Sequence, residues 1–310
     1  MYQARECYRD QRIGTARDHA QVVLDKLILA IEQSSKLSCL WKLLADTCFF
    51  VAKLPEKYCC MMIPKSFLEG GYLKETTFVE KEDLYKMAAR FYCKAINLTE
   101  DNVLIWHDLG VCYLYHAMNT EGNGKQQLFL YSLAVARHCT STNPSRWQHW
   151  NLLGNVAMRK DPPNYALGQH AFIKAVTADH NTAVAWTNLG ILYLLMDNIK
   201  LANKAFSQGQ RSDPNYVNSW IGQALIAEKM GHEEAMDLFR HSTQLGQQQQ
   251  GSLGYGHWVC QTLLTASDDV NIYSVHNMHA VPVACDVLTW YTDHPKFIVC
   301  RNPRVQFSAY

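Results

Sequence analysis

Between Ala183 and Pro214 the chain reads AVAWTNLGILYLLMDNIKLANKAFSQGQRSDP, and seven residue types in it stand at constrained offsets. Counting Ala183 as position 1, Trp186 falls at 4, Leu189 and Gly190 at 7 and 8, Tyr193 at 11, Ala202 at 20, Phe206 at 24 and Pro214 at 32. Trp186, Leu189 and Tyr193 are three and four residues apart, so they share one face of a helix. Gly190 and Ala202 are small where a second, antiparallel helix has to cross close to the first. Asp197-Asn198 suits the turn between them, and Pro214 stops the second helix because it lacks an amide donor. The spacing therefore predicts a helical hairpin, first helix from Ala183 to about Met196 and second from Ile199 to Gln210. One such hairpin cannot bury its own apolar stripe, so copies must stack.

This is the pattern of a tetratricopeptide repeat, whose period is roughly 34 residues. Tryptophans at position 4 recur at Trp41, Trp106, Trp150, Trp186 and Trp220, with Trp258 as a further candidate, at spacings of 65, 44, 36, 34 and 38 residues. Gly110 and Gly154 occupy the place of Gly190, and Pro144 that of Pro214. The expected fold is all-α, a right-handed superhelical solenoid of antiparallel helix pairs. Residues 1–35 read as an incomplete first unit and 36–245 as the array, interrupted by insertions at about 54–83 and 116–126. The second of these falls in the polar segment NTEGNGKQQ and is expected to be a loop. The first carries Pro55, Pro64 and Gly70-Gly71, which break a long helix, and apolar runs YCCMMIP and SFLEGGYL that should pack on the array. Residues 246–256, rich in Gln and Gly, read as a flexible linker, 257–292 as degenerate repeat-like helices, and 293–310 as an irregular tail.

Charge narrows the partners. The 29 basic and 28 acidic residues leave a net charge of +1, which provides no strong field for nucleic acid or anionic membrane. No apolar run approaches the ~20 residues a membrane helix needs, and the charged start is unlike a signal peptide. Several of the eleven cysteines, Cys48, Cys93, Cys112 and Cys260 among them, sit within apolar helical patterns, as reduced thiols do. A soluble cytoplasmic chain is expected, with the nucleus as second compartment.

Catalytic signatures are not found: there is no phosphate-binding Gly-rich loop and no nucleophile elbow. His276 and His279, with His257 and Cys260 upstream, lack the paired Cys-x-x-Cys that would make a zinc site. No enzyme, metal or cofactor is expected. Binding would fall to the concave face, formed in this repeat class by positions 2, 5, 6, 9, 12 and 13. These select His107, Asp108, Val111 and Tyr115; Asn151, Asn155 and Arg159; Thr187, Asn188, Ile191 and Leu195; and Asn218, Ile221 and Leu225. Such a groove is mixed apolar and amide. Asn155 and Asn188 suit the clamp with which some repeat proteins hold a C-terminal carboxylate, but Asn218 and Gly222 stand where its Lys and Arg are needed, and a carboxylate buried without cations is costly.

The wording between motifs carries a closer likeness. The run from Trp106 through Leu245, with WHDLGVCYLYHAMNT, RWQHWNLLGNVAMRK and WTNLGILYLLMDNIKLANKAFSQGQRSDPNYVNSWIGQALIAE, resembles the large tetratricopeptide scaffold of the animal superkiller complex. The resemblance implies a non-catalytic protein-protein scaffold that holds a DExH-type RNA helicase and WD-repeat subunits and, through them, supplies the cytoplasmic RNA exosome in 3′-to-5′ mRNA decay. Members of that family are several times longer, so the chain is expected to be a piece of one. The alternative is a tetratricopeptide adaptor of another assembly, in transport or the cell cycle.

Overall fold

The computed structural model describes residues 1–265 apart from 11, 66, 68–75, 100, 233 and 247. The described residues fold almost entirely as helix, and the contacts divide them into two compact units: Met1–Pro144 with Arg159–Pro163, and Ser145–Met158 with Asn164 onward.

The first unit is a run of three hairpins. Helices α1 (Tyr2–Arg9) and α2 (Ile13–Gln33) form the first, α3 (Ser38–Ala52) and α4 (Lys81–Leu98) the second, α5 (Val103–Asn119) and α6 (Asn123–Thr142) the third. Each helix packs on its neighbour in the chain, so that α2 meets α3 and α4 meets α5. The core runs from Leu24 and Ile28 through Leu44, Cys48, Tyr85, Tyr92 and Leu109. Asn102 starts α5 by accepting the Leu104 amide (3.1 Å), as a capping Asn should.

The second unit contains all but the last residue of α7 (Trp147–Arg159), and α8 (Tyr165–Ala178), α9 (Ala183–Leu195), α10 (Ile199–Ser212), α11 (Val217–Lys229), α12 (Glu234–Leu245) and α13 (Gln249–Thr265). Asn164 and Asn198 cap α8 and α10 through the amides of Leu167 and Leu201. In the Asp197-Asn198 turn it is Asp197 that takes the left-handed conformation, at φ 60°. Asn198 is thereby freed to cap.

Trp41, Trp106, Trp150, Trp186 and Trp220 are each the fourth residue of their helix, α3, α5, α7, α9 and α11. Trp258 departs from this rule. It lies in the middle of α13, because that helix begins at Gln249. The stretch 246–256 is therefore no linker: most of it is the start of α13. Its glycines permit close packing, since a Cβ at Gly254 would stand 2.4 Å from the Phe239 ring and one at Gly251 would stand 2.6 Å from Ser242 Oγ.

Two further expectations change. The 116–126 segment is not a looped-out insertion. α5 and α6 are 17 and 20 residues long, and only Thr120–Gly122 lies between them, with Gly122 supplying a positive φ of 83°. The 54–83 insertion adds the sole described strands to an otherwise all-α chain: β1 (Met61–Pro64) pairs antiparallel with β2 (Thr76–Val79), Met61 opposite Val79. Met61, Ile63 and Val79 enter the core of the first unit. Gln21 of α2 holds the outer edge of β1, accepting from the Met62 N–H (3.0 Å) and donating to its carbonyl (2.9 Å). YCCMMIP thus packs on the helices, while nearly all of SFLEGGYL, the greater part of 257–292 with His276 and His279, and the 293–310 tail lie outside the described residues. Among the described residues no helix is long and apolar enough to cross a membrane.

Candidate interaction surface

The tryptophans are half-buried staples and not the centre of the core. Trp41, Trp186 and Trp220 each donate the indole N–H to the carbonyl six residues earlier: Ser35 (2.7 Å), His180 (2.9 Å) and Pro214 (2.8 Å). Each ring thereby pins the loop that enters its own hairpin. Trp106, Trp150 and Trp220 lie beside imidazoles of the following helix, His138, His170 and His241, with centroids 4.8, 6.2 and 4.5 Å apart.

The fully buried aromatic is the phenylalanine of the second helix. Phe172 covers Gly154, and Phe206 lies over both Gly190 and Gly222, so that a Cβ at any of these glycines would come within 2.3–2.8 Å of a ring carbon. Ala202, wholly buried, shares the Phe206 core. Glycine is required at these positions by space, and φ plays no part.

Eight of the fourteen groove candidates are interior. Val111, Asn151, Asn155, Thr187, Asn188, Ile191, Asn218 and Ile221 are all buried, so they cannot meet a partner on an open face. In the second unit two of their hydrogen bonds join successive first helices and two are local. Asn188 Nδ2 donates to Asn151 Oδ1 (2.8 Å), Asn155 Nδ2 donates to the Asn151 carbonyl (3.0 Å), and the Thr187 and Ser219 hydroxyls share a hydrogen bond of 2.7 Å. Asn218 Nδ2 donates to Tyr216 Oη (3.2 Å). The Asn188–Asn151 and Thr187–Ser219 bonds cross from one first helix to another and so help to fix how one hairpin seats on the next, although Asn188 Oδ1 has no hydrogen-bond partner among the described residues. Asn155 is thus bonded within its own helix and Asn188 to α7, and Gly222 lies beneath Phe206.

His107, Asp108, Tyr115, Arg159 and Leu225 are half-buried, and Leu195 is exposed. In the first unit they belong to two clusters. In one, Lys42 of α3 bridges Asp46 (2.9 Å) and Asp108 of α5 (3.0 Å), Tyr92 of α4 donates to Asp46 (2.7 Å), and His107 Nδ1 lies 3.6 Å from Asp108. Burial opposes charge on both Lys42 and Asp108. Their mutual attraction, with hydrogen bonds from His107 to Asp108 and from Lys42 to Asp46, outweighs it. The Lys42 pKa is held above its usual value and that of Asp108 below. In the second cluster Lys53 Nζ stands 5.0 Å from the Phe49 ring centre and 4.9 Å from that of Tyr115, a cation over two aromatic faces. The ammonium, close against the two rings, has its pKa lowered by desolvation and by the nearby Arg5, although the residue as a whole is exposed.

Neither cluster assembles an activated nucleophile or an acid-base pair, and among the described residues no group of three or more His, Cys, Asp or Glu could hold a metal. Sequence reasoning missed both, although Lys42 and Asp46 at i and i+4 were a readable signal.

Helical hairpins stacked in series, stapled by tryptophan and interlocked through phenylalanine and glycine, define a tetratricopeptide-repeat protein. Its fold is like that of yeast Tom70, with a TM-score of 0.53 and 13% identity over 82% of this chain and 46% of that one. A family model, the CABIN1 N-terminal domain, matches residues 139–229. Over nearly its whole length the chain is related to superkiller complex protein 3. It is 35% identical to the human protein of that name and 36% identical to tetratricopeptide repeat protein 37 of Xenopus laevis, over 94% of this chain in each case. It spans 19% of the length of each.

Proposed function

We propose that the chain is a non-catalytic scaffold segment of a superkiller-type complex in the cytoplasm, and that it helps to hold a DExH-type RNA helicase and WD-repeat subunits in the service of exosome-mediated 3′-to-5′ mRNA decay. The observation that carries this reading is the similarity to superkiller complex protein 3 across 94% of the chain. The architecture supports it, because stacked hairpins offer extended, rigid surfaces to partners. The charge balance of +1 supports contact with protein before contact with RNA, since few phosphates could be neutralised. Affinity purification of the tagged chain from cytoplasm, followed by mass spectrometry, tests the reading. Helicase and WD-repeat subunits should be enriched together. Recovery of a transport or cell-cycle assembly in their place would make the chain an adaptor of that assembly.

A further inference from the structure

Of the two clusters in the first unit, the one around Lys53 holds an ammonium in surroundings that suit a different group. The rings of Phe49 and Tyr115 lie 5.5 Å apart with their planes 79° to one another, and so form two walls of a corner. A third ring, Tyr85, packs against Phe49 at 6.1 Å. Lys53 Nζ sits in the corner, 5.0 Å from the Phe49 centre and 4.9 Å from the Tyr115 centre. Phe49 precedes Lys53 by one helical turn on α3, of which Lys53 is the C-cap, while Tyr115 comes from α5. An ammonium carries three hydrogen-bond donors. Among the described residues the Lys53 ammonium makes no hydrogen bond and no ion pair, only these two ring contacts. The charge that acts on it is the like charge of Arg5, and desolvation acts on it more strongly still. Its N–H groups have thus lost water without gaining an acceptor, and aromatic faces attract a positive charge better than they accept a hydrogen bond.

A methylated ammonium meets these conditions better than a bare one. Methylation keeps the positive charge and replaces N–H donors by methyl groups, which need no acceptor and fit the faces of an aromatic cage. We infer that Lys53 is a site of side-chain N-methylation, and that the corner of Phe49 and Tyr115 holds the methylated ammonium. In each transfer a nitrogen–carbon bond forms as the carbon–sulfur bond of a sulfonium methyl donor breaks. The donor leaves as a thioether and the proton lost from nitrogen passes to solvent, so no oxidant or reductant takes part. The transferase is a separate protein, and it reaches the side chain because Lys53 is exposed in the turn that follows α3. Once methylated, Lys53 ties α3 to α5 more firmly, and so the second hairpin to the third, where the chain enters the insertion that carries β1 and β2. The inference is independent of the assembly the chain serves, because it rests on the first unit alone.

Two measurements test it. In the first, the chain is immunopurified from cells that make it, digested without cleavage at lysine and read by mass spectrometry. Lys53 should carry methyl groups at an occupancy severalfold above that of Lys26 and Lys36, which are exposed and have no ring contact among the described residues. In the second, the purified chain is methylated with isotope-labelled formaldehyde and a borane, and the methyl signals are recorded by NMR. Lys53→Arg, which keeps a cation on the aromatic faces, identifies the Lys53 signal by deleting it. Ring currents should place that signal upfield of those of the other lysines, and Tyr115→Leu should return it most of the way. If circular dichroism shows Tyr115→Leu to be unfolded, Phe49→Leu takes its place with the same expected shift. Unmethylated Lys53 in the cellular chain, or methylation spread evenly over Lys26, Lys36 and Lys53, would overturn the inference. So would a Lys53 signal at the ordinary position, or one that the loss of an aromatic wall leaves unmoved.

Discussion

A Cβ placed on Gly222 would lie 2.3 Å from Cε1 of Phe206, although the two residues belong to successive hairpins. The same ring would meet a Cβ on Gly190 of its own hairpin at 2.8 Å. Phe206 is therefore held between α9 and α11, and it couples folding within one repeat to stacking upon the next.

Gly222→Ala should destabilise the chain by about 1–3 kcal/mol through overpacking, even though alanine is the better helix former by about 1 kcal/mol. Urea denaturation checks this. Phe206→Leu made together with Gly222→Ala should cost less than the sum of the two, a coupling expected of groups in contact.

The buried phenylalanine should matter more than the half-buried tryptophan. Phe206→Ala is expected to cost about 3–5 kcal/mol. Trp186→Phe, which keeps most of the ring and removes the N–H to the His180 carbonyl, should cost about 1 kcal/mol. Thermal unfolding of the two variants establishes the order, and a larger loss at Trp186 would restore the tryptophan to the centre of the core.

The Lys42–Asp108 pair makes a prediction in acid. Since the folded-state pKa of Asp108 lies below its ordinary 3.8, the unfolded chain takes up the proton first. Its stabilising contribution is present above that value and is lost as pH falls through the folded pKa. Asp108→Asn should flatten the dependence of unfolding free energy on pH below about 4.

His116 acts in the same direction at higher pH. Burial lowers its pKa from 6.5, with Lys86 adding to the effect and Glu82 and Asp83 opposing it. Stability should fall as pH drops below that value, because the unfolded chain binds the proton more readily. His116→Gln should remove part of the slope measured by urea titration between pH 7 and pH 5.

The starts of five hairpins were legible because tryptophan, glycine and phenylalanine answer to local spacing. Trp41, Trp106, Trp150, Trp186 and Trp220 place the first turn of α3, α5, α7, α9 and α11. What escaped depends on neighbours. Gln and Gly from 246 to 256 read as flexible by composition, yet Gly251 and Gly254 are small because α12 presses Ser242 and Phe239 against them. The inner-face rule selected Asn151, Thr187 and Asn188 as a surface, but they are buried and bonded to a neighbouring first helix, a fact absent from any single repeat. The long α5 and α6 likewise took up as helix the residues that a fixed period assigns to a loop.

The most direct measurement of the scaffold reading is light scattering on size-exclusion fractions of the purified full chain mixed with a DExH-type helicase and the WD-repeat subunit of a superkiller complex. A single species whose mass matches the combined components is expected. Separate elution of every component at micromolar concentration would contradict the account.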